Sequence, residues 1–127
     1  MLTHVMVGAS DPETSIKFYD AVLGELGIHG HHMGDRAFYS TDGGPAFGVG
    51  KPIDGQPATH ANGGTIGFVA QNKDQVDAWH ATGLANGGTD EGAPGKRPNA
   101  PGNAYGAYLR DPEGNKICAF CQLPEGE

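Results

Sequence analysis

The chain has 127 residues and a mass of 13.1 kDa, which leaves room for one domain of ordinary size. Fifteen acids against eight bases give a formal charge of −7, a balance that repels phosphate backbones and excludes a nucleic-acid partner. No stretch approaches the roughly 18 apolar residues of a membrane span. The opening MLTHVMVGASD lacks the basic head and apolar core of a signal peptide, so a soluble, cytoplasmic protein is expected. Two cysteines, Cys118 and Cys121, are too few for the disulfide framework of a secreted mini-protein.

Residues 2–8 alternate in polarity and predict a strand. Ser10-Asp11-Pro12-Glu13 then has the pattern of a capping box with proline in the first turn, a helix start. Ile16, Tyr19, Val22 and Leu23 continue at helical spacing, which predicts a helix over 12–23. Three short extended stretches follow, near 28–33, 36–41 and 45–50, parted by glycine-containing turns. Residues 51–63 are polar and rich in proline and glycine, and read as a linker. The order then restarts with a strand over 65–70, Asn72 as a cap and a helix over 73–85. A loop and two strands, 104–110 and 115–121, complete the chain. The turn between those last strands is Asp111-Pro112-Glu113-Gly114-Asn115.

The two halves superimpose as sequences. His4–Val7 falls on Thr65–Phe68, Ile16 and Tyr19 on Val76 and Trp79, and Ala37-Phe38-Tyr39 on Ala107-Tyr108-Leu109. The expected architecture is α+β: two βαβββ modules forming a cupped, mostly antiparallel eight-stranded sheet with the helices outside. Module one is 1–50, module two is 64–127, and together they make one domain over 1–127. About ten extra residues in module two, within 92–102, read as a partial lid over the cleft. In each lead strand, alternate residues turn from the helix onto an uncovered face, and such concave faces are where small molecules bind.

Thr3-His4-Val5, the Ser10-Asp11 cap, Phe18-Tyr19, Val22-Leu23-Gly24 and Arg110-Asp111-Pro112-Glu113-Gly114-Asn115-Lys116-Ile117 together resemble the vicinal oxygen chelate superfamily. That is the glyoxalase, bleomycin-resistance and extradiol-dioxygenase group, and the resemblance is to its glyoxalase-like branch. It implies a homodimer and a divalent metal held at places that fall here on His4, Gly48, Thr65 and Cys118. Three of these depart from the pattern: Thr65 replaces a histidine, Cys118 a glutamate, and Gly48 has no donor. No cofactor is therefore expected, and any metal found should be thiophilic, such as zinc.

Parity along the strands turns His4, Thr65, Phe38, Tyr108, Arg110 and Cys118 towards the uncovered faces. Phe38 and Tyr108 supply aromatic wall, Arg110 a fork for a carboxylate, and His4 and Thr65 polar contacts. Cys118 and Tyr108 are the candidate reactive groups. Cys121, three residues on from Cys118, belongs in the core, so the pair is not a redox couple. Two readings follow. One is a divergent enzyme of lyase or dioxygenase ancestry acting on a small oxygen-rich or planar molecule. The other is a non-catalytic protein that sequesters such a molecule, as in bleomycin resistance.

Overall fold

A computed structural model describes residues 1–127. The element order is β1 (His4–Gly8), α1 (Pro12–Gly24), β2 (Gly30–Met33), β3 (Arg36–Ser40), β4 (Ala46–Gly50), β5 (Ile66–Val69), α2 (Lys73–Ala85), β6 (Thr89–Lys96), β7 (Ala104–Arg110) and β8 (Lys116–Gln122). The βαβββ unit thus occurs twice, with no helix or strand between β4 and β5. The eight strands form two four-stranded sheets, ordered β1-β4-β3-β2 and β5-β8-β7-β6, with no hydrogen-bonded continuity between them. The pairs β1–β4 and β5–β8 are parallel and the others antiparallel, so both sheets are mixed.

Local chemistry explains the helices. The side chain of Asp11, not Ser10, caps α1 by accepting from the Thr14 amide and hydroxyl, with Pro12 where its missing N–H costs nothing. Ser10 is used elsewhere: its hydroxyl accepts from the Ala58 amide, and its own amide donates to Glu113 of the other module. Asn72 caps α2 by accepting from the Gln75 amide at 2.9 Å. Both helices bury their apolar stripes, Ile16, Tyr19, Val22 and Leu23 in α1 and Val76 and Trp79 in α2.

Strand β6 corrects the expectation of a lid. Residues 92–96 are not an overhanging loop but part of an edge strand paired with β7, so only the residues beyond Lys96 make the connection to β7. The sequence hides it because Gly92, Pro94 and Gly95 resemble a turn. On an edge strand proline is tolerated, and register shifts at Asp90/Gly92 and Gly92/Gly95 absorb the irregularity.

One hydrophobic cluster spans both modules, from Tyr19, Tyr39, Phe47 and Val49 to Trp79, Leu109, Ile117 and Cys121. The helix-covered faces join it. Phe47 of β4 meets Phe68 of β5 edge-to-face, with centroids 5.1 Å apart, and α1 packs on α2. A buried polar knot reinforces the seam. Asp111 is 3% exposed and accepts from the Tyr19 hydroxyl at 2.6 Å, the Glu113 and Asn115 amides, and the Asn115 side chain. Asn115 in turn donates to the Gly8 carbonyl at 3.2 Å. The Asp-Pro-Glu-Gly-Asn turn, with Gly114 at φ 96°, therefore ties module two to module one.

Candidate ligand-binding face

The contacts that join the modules lie on the helix sides, which leaves an uncovered face on each sheet. Pairing aligns one row of residues across each face. In module one the row runs Met6–Gly48–Phe38–His31, and in module two Gly67–Cys118–Tyr108–Gly92. The rows are equivalent position by position, so the sequence repeat is carried into the strand register.

The rows differ in what fills them. In module one the Met6 thioether and the Phe38 ring close over Gly48, where an added Cβ would lie 2.2 Å from the sulfur. In module two the place of Met6 is taken by Gly67, and nothing crosses Cys118 from that side. The result is an open cavity of about 480 Å³ walled by Gly67, Val69, Pro101, Tyr108, Cys118 and Phe120. Its floor is smooth because Phe120 lies across Gly106, and Tyr108 lies against Gly92. Tyr108 and Phe120 meet edge-to-face at 5.6 Å.

The electrostatics of this face oppose those of the whole chain. The Lys116 ammonium lies 5.1 Å and the Arg97 guanidinium 5.6 Å from the Tyr108 ring centroid. Arg110 donates to the Gly114 carbonyl at 3.0 Å and pairs with Glu91 at 3.3 Å, rather than with its neighbours Asp111 or Glu113. Cys118 is 7% exposed, and burial pushes its thiol up to about 11, partly offset by Lys116. Near neutral pH it is an uncharged wall group. Cys121 lies in the apolar cluster on the opposite side of β8, and both thiols are free.

The remaining expected site residues are dispersed. His4 is exposed at the start of β1 and its Nδ1 is 2.9 Å from the Thr3 hydroxyl. Phe38 lies on the module-one face with Arg36 5.8 Å from its centroid. Thr65 lines a separate cavity of about 330 Å³ with Met6, Gly8 and Lys116, where the ends of the two faces approach. No hydrogen bond links His4 to Thr65 or Cys118. Of the other five histidines, three are engaged elsewhere: His32 with Asp20 at 3.0 Å, His80 with Asp90 at 2.9 Å, and His60 against Gly114. His29 and His31 are exposed, His31 opposite Phe38.

The four places where the superfamily holds a metal do not suit one here. The Gly48 place is covered by Met6 and Phe38, Thr65 is a weak donor, and Cys118 resists ionisation. No group of three or more histidine, cysteine or acidic side chains is gathered in a way that could hold an ion.

Two cations on this face, Arg97 and Lys116, are not among the residues the sequence reading brings here. The signal for Lys116 was its parity with Cys118 on one strand. Arg97 belongs to the sole adjacent basic pair of the chain, Lys96-Arg97.

Fold and face together define a twofold βαβββ protein with a small-molecule-sized cavity. The model of the Glyoxalase/Bleomycin resistance protein/Dioxygenase superfamily matches residues 1–119, and the chain belongs to that superfamily. Among solved structures, a glyoxalase/bleomycin resistance protein from Albidiferax ferrireducens T118 is similar at 57% identity and a TM-score of 0.89, over 94% of this chain and 98% of that one. A lactoylglutathione lyase from Agrobacterium tumefaciens shares the fold at 23% identity and a TM-score of 0.64, over 94% and 92% of the two chains. A glyoxalase-related enzyme from Fulvimarina pelagi does so at 16% and 0.74, over 94% and 86%. A comparison with curated proteins finds no match.

Proposed function

We propose that this chain binds a small planar molecule on the uncovered face of module two, without a superfamily-type metal. The observation that carries this reading is the contrast between Met6 and Gly67. Equivalent positions are filled in one module and open in the other, and the opening exposes an aromatic floor. Tyr108 and Phe120 form that floor, and Cys118 is a neutral packing surface beneath the ligand. The function is sequestration or carriage of the ligand, in the cytoplasm.

The face is completed by a second copy. Strands β1 and β5 are sheet edges, and Leu2, Met6 and Val69 are exposed beside or along them. Pairing sets the module-one face of one copy over the module-two face of the other. His4 and Phe38 then meet Thr65, Tyr108, Arg110 and Cys118 across the interface. Light scattering should give about twice 13.1 kDa at micromolar concentration, and a monomer mass contradicts this pairing.

A second reading, an enzyme of lyase or dioxygenase ancestry, rests on Cys118 and Tyr108, which are direct cross-strand partners in the cavity. One experiment separates the two. Isotope-labelled protein is screened against small planar aromatics, with and without a chelator, and the recovered molecule is identified. Binding predicts saturable, chelator-insensitive shifts at Tyr108 and Phe120 with the molecule returned unchanged. Conversion of the molecule overturns the sequestering reading, and a chelator-sensitive conversion also overturns its metal independence.

A further inference from the structure

The distribution of charge on this face points to the class of molecule it takes. The chain carries only eight basic residues against fifteen acids. Three of the eight, Arg97, Arg110 and Lys116, converge on the uncovered face of module two, two of them over the same tyrosine ring. The acids nearby are accounted for. Glu91 is paired with Arg110, and Asp90 is turned to the helix side, where His80 holds it. Arg97 is fixed without being neutralised: its guanidinium donates to the carbonyls of Ala93 at 2.6 Å and Lys96 at 3.3 Å, and no carboxylate pairs with it. Lys116 has no carboxylate partner either, and both cations are half-buried.

A cation held by carbonyls and an aromatic ring keeps its full charge and part of its hydration is already stripped. An incoming anion therefore gains an ion pair without first breaking one. Neither cation lines the cavity of about 480 Å³ itself; both reach it through the Tyr108 ring, and Lys116 also lines the neighbouring cavity with Thr65. Beyond that ring the cavity is bounded by Phe120 and Pro101, which suits a flat apolar body of small-molecule size.

We propose that the ligand is a planar organic anion, a carboxylate joined to an aromatic or conjugated body. The carboxylate sits between Arg97 and Lys116 at the Tyr108 ring, and the flat body lies over Phe120 towards Gly67. This rests on the small-molecule reading given above, and it adds the charge of the ligand and the two residues that recognise it.

The test uses the full chain and two probes of matched shape, 2-naphthoate and its neutral amide, titrated calorimetrically and by shifts of the Tyr108 and Phe120 signals. The naphthoate should bind about tenfold more tightly than the amide or better. R97Q and K116Q should each weaken the naphthoate about twofold to fivefold, the range for partly exposed ion pairs, and leave the amide unchanged. K51Q, an equal charge change on a different surface, should leave both unchanged. Salt at about 0.5 M should narrow the difference between the probes. If both probes bind equally, and the R97Q and K116Q substitutions do nothing, anion recognition is wrong while the planar-ligand site stands. If neither probe moves the Tyr108 and Phe120 signals, the inference and the small-molecule reading beneath it both fail.

Discussion

Replacing Gly67 with methionine should close the module-two cavity while leaving the fold intact. At the equivalent position of module one Met6 lies over Gly48, whereas the partner of Gly67 is Cys118, so the new side chain shares its space with a thiol. Gly67 does not have a positive φ, so its backbone accepts an L side chain. An added Cβ would lie 3.2 Å from the Cys118 sulfur, a close contact that small side-chain movements can relieve. Burying the new side chain contributes about 1.5–3 kcal/mol, and removing a strand glycine contributes about 0.5–1 kcal/mol. Crowding against Cys118 costs about 1–3 kcal/mol. The two sides offset each other to between about 1 kcal/mol of net cost and about 3 kcal/mol of net gain, so urea unfolding monitored by circular dichroism should show no large loss of stability. Binding of 2-naphthoate should fall by more than about tenfold, since the added chain occupies the space over Cys118. A folded G67M protein that binds as tightly as wild type refutes the assignment of the cavity.

Three further expectations concern single groups. Tyr19→Phe removes one donor from buried Asp111 and should cost about 1.5–3 kcal/mol in urea unfolding at fixed protein concentration, whereas Asp111→Ala, which strands several donors, should cost more; a loss below about 0.5 kcal/mol for Y19F contradicts the seam. In a C121A background, Cys118 should be alkylated slowly by iodoacetamide at pH 7, with a rate that climbs towards pH 11, because burial holds the thiol at about 11; fast reaction at neutral pH contradicts this environment. The Asp90 carboxyl is lowered from 3.8, first by its hydrogen bond with His80 and then by the Gly92 amide. Its stabilisation is therefore present above that value and is lost as pH falls through the folded-state value, so the stability gap between wild type and D90N should narrow in acid below 3.8; a gap unchanged in acid contradicts it.

Much of the architecture was legible because short-range signals agreed with the long-range fold. The caps at Asp11 and Asn72, the helical spacing of Ile16, Tyr19, Val76 and Trp79, and the alternation of β1 and β5 are all local. Parity placed Tyr108 and Cys118 on one face, and their cross-strand pairing agrees. Strand β6 was illegible because Gly92, Pro94 and Gly95 contradict strand propensity, and pairing with β7 overrides it. The seam between the modules was illegible for a different reason. Phe47 meeting Phe68, and Tyr19 meeting Asp111, depend on residues far apart in the chain that no periodicity connects. The cationic rim followed the same logic, since Arg97 and Lys116 read singly as solvated charges until the fold set both over one ring.

A ligand on the module-two face should lie against Tyr108 and Phe120 and over Cys118. Intermolecular nuclear Overhauser effects from bound 2-naphthoate test it most directly. Cross-peaks are expected from the naphthyl protons to the rings of Tyr108 and Phe120 and to the methyls of Val69. Cross-peaks confined to residues outside that cavity, such as those around Asp20 and His32, would contradict it.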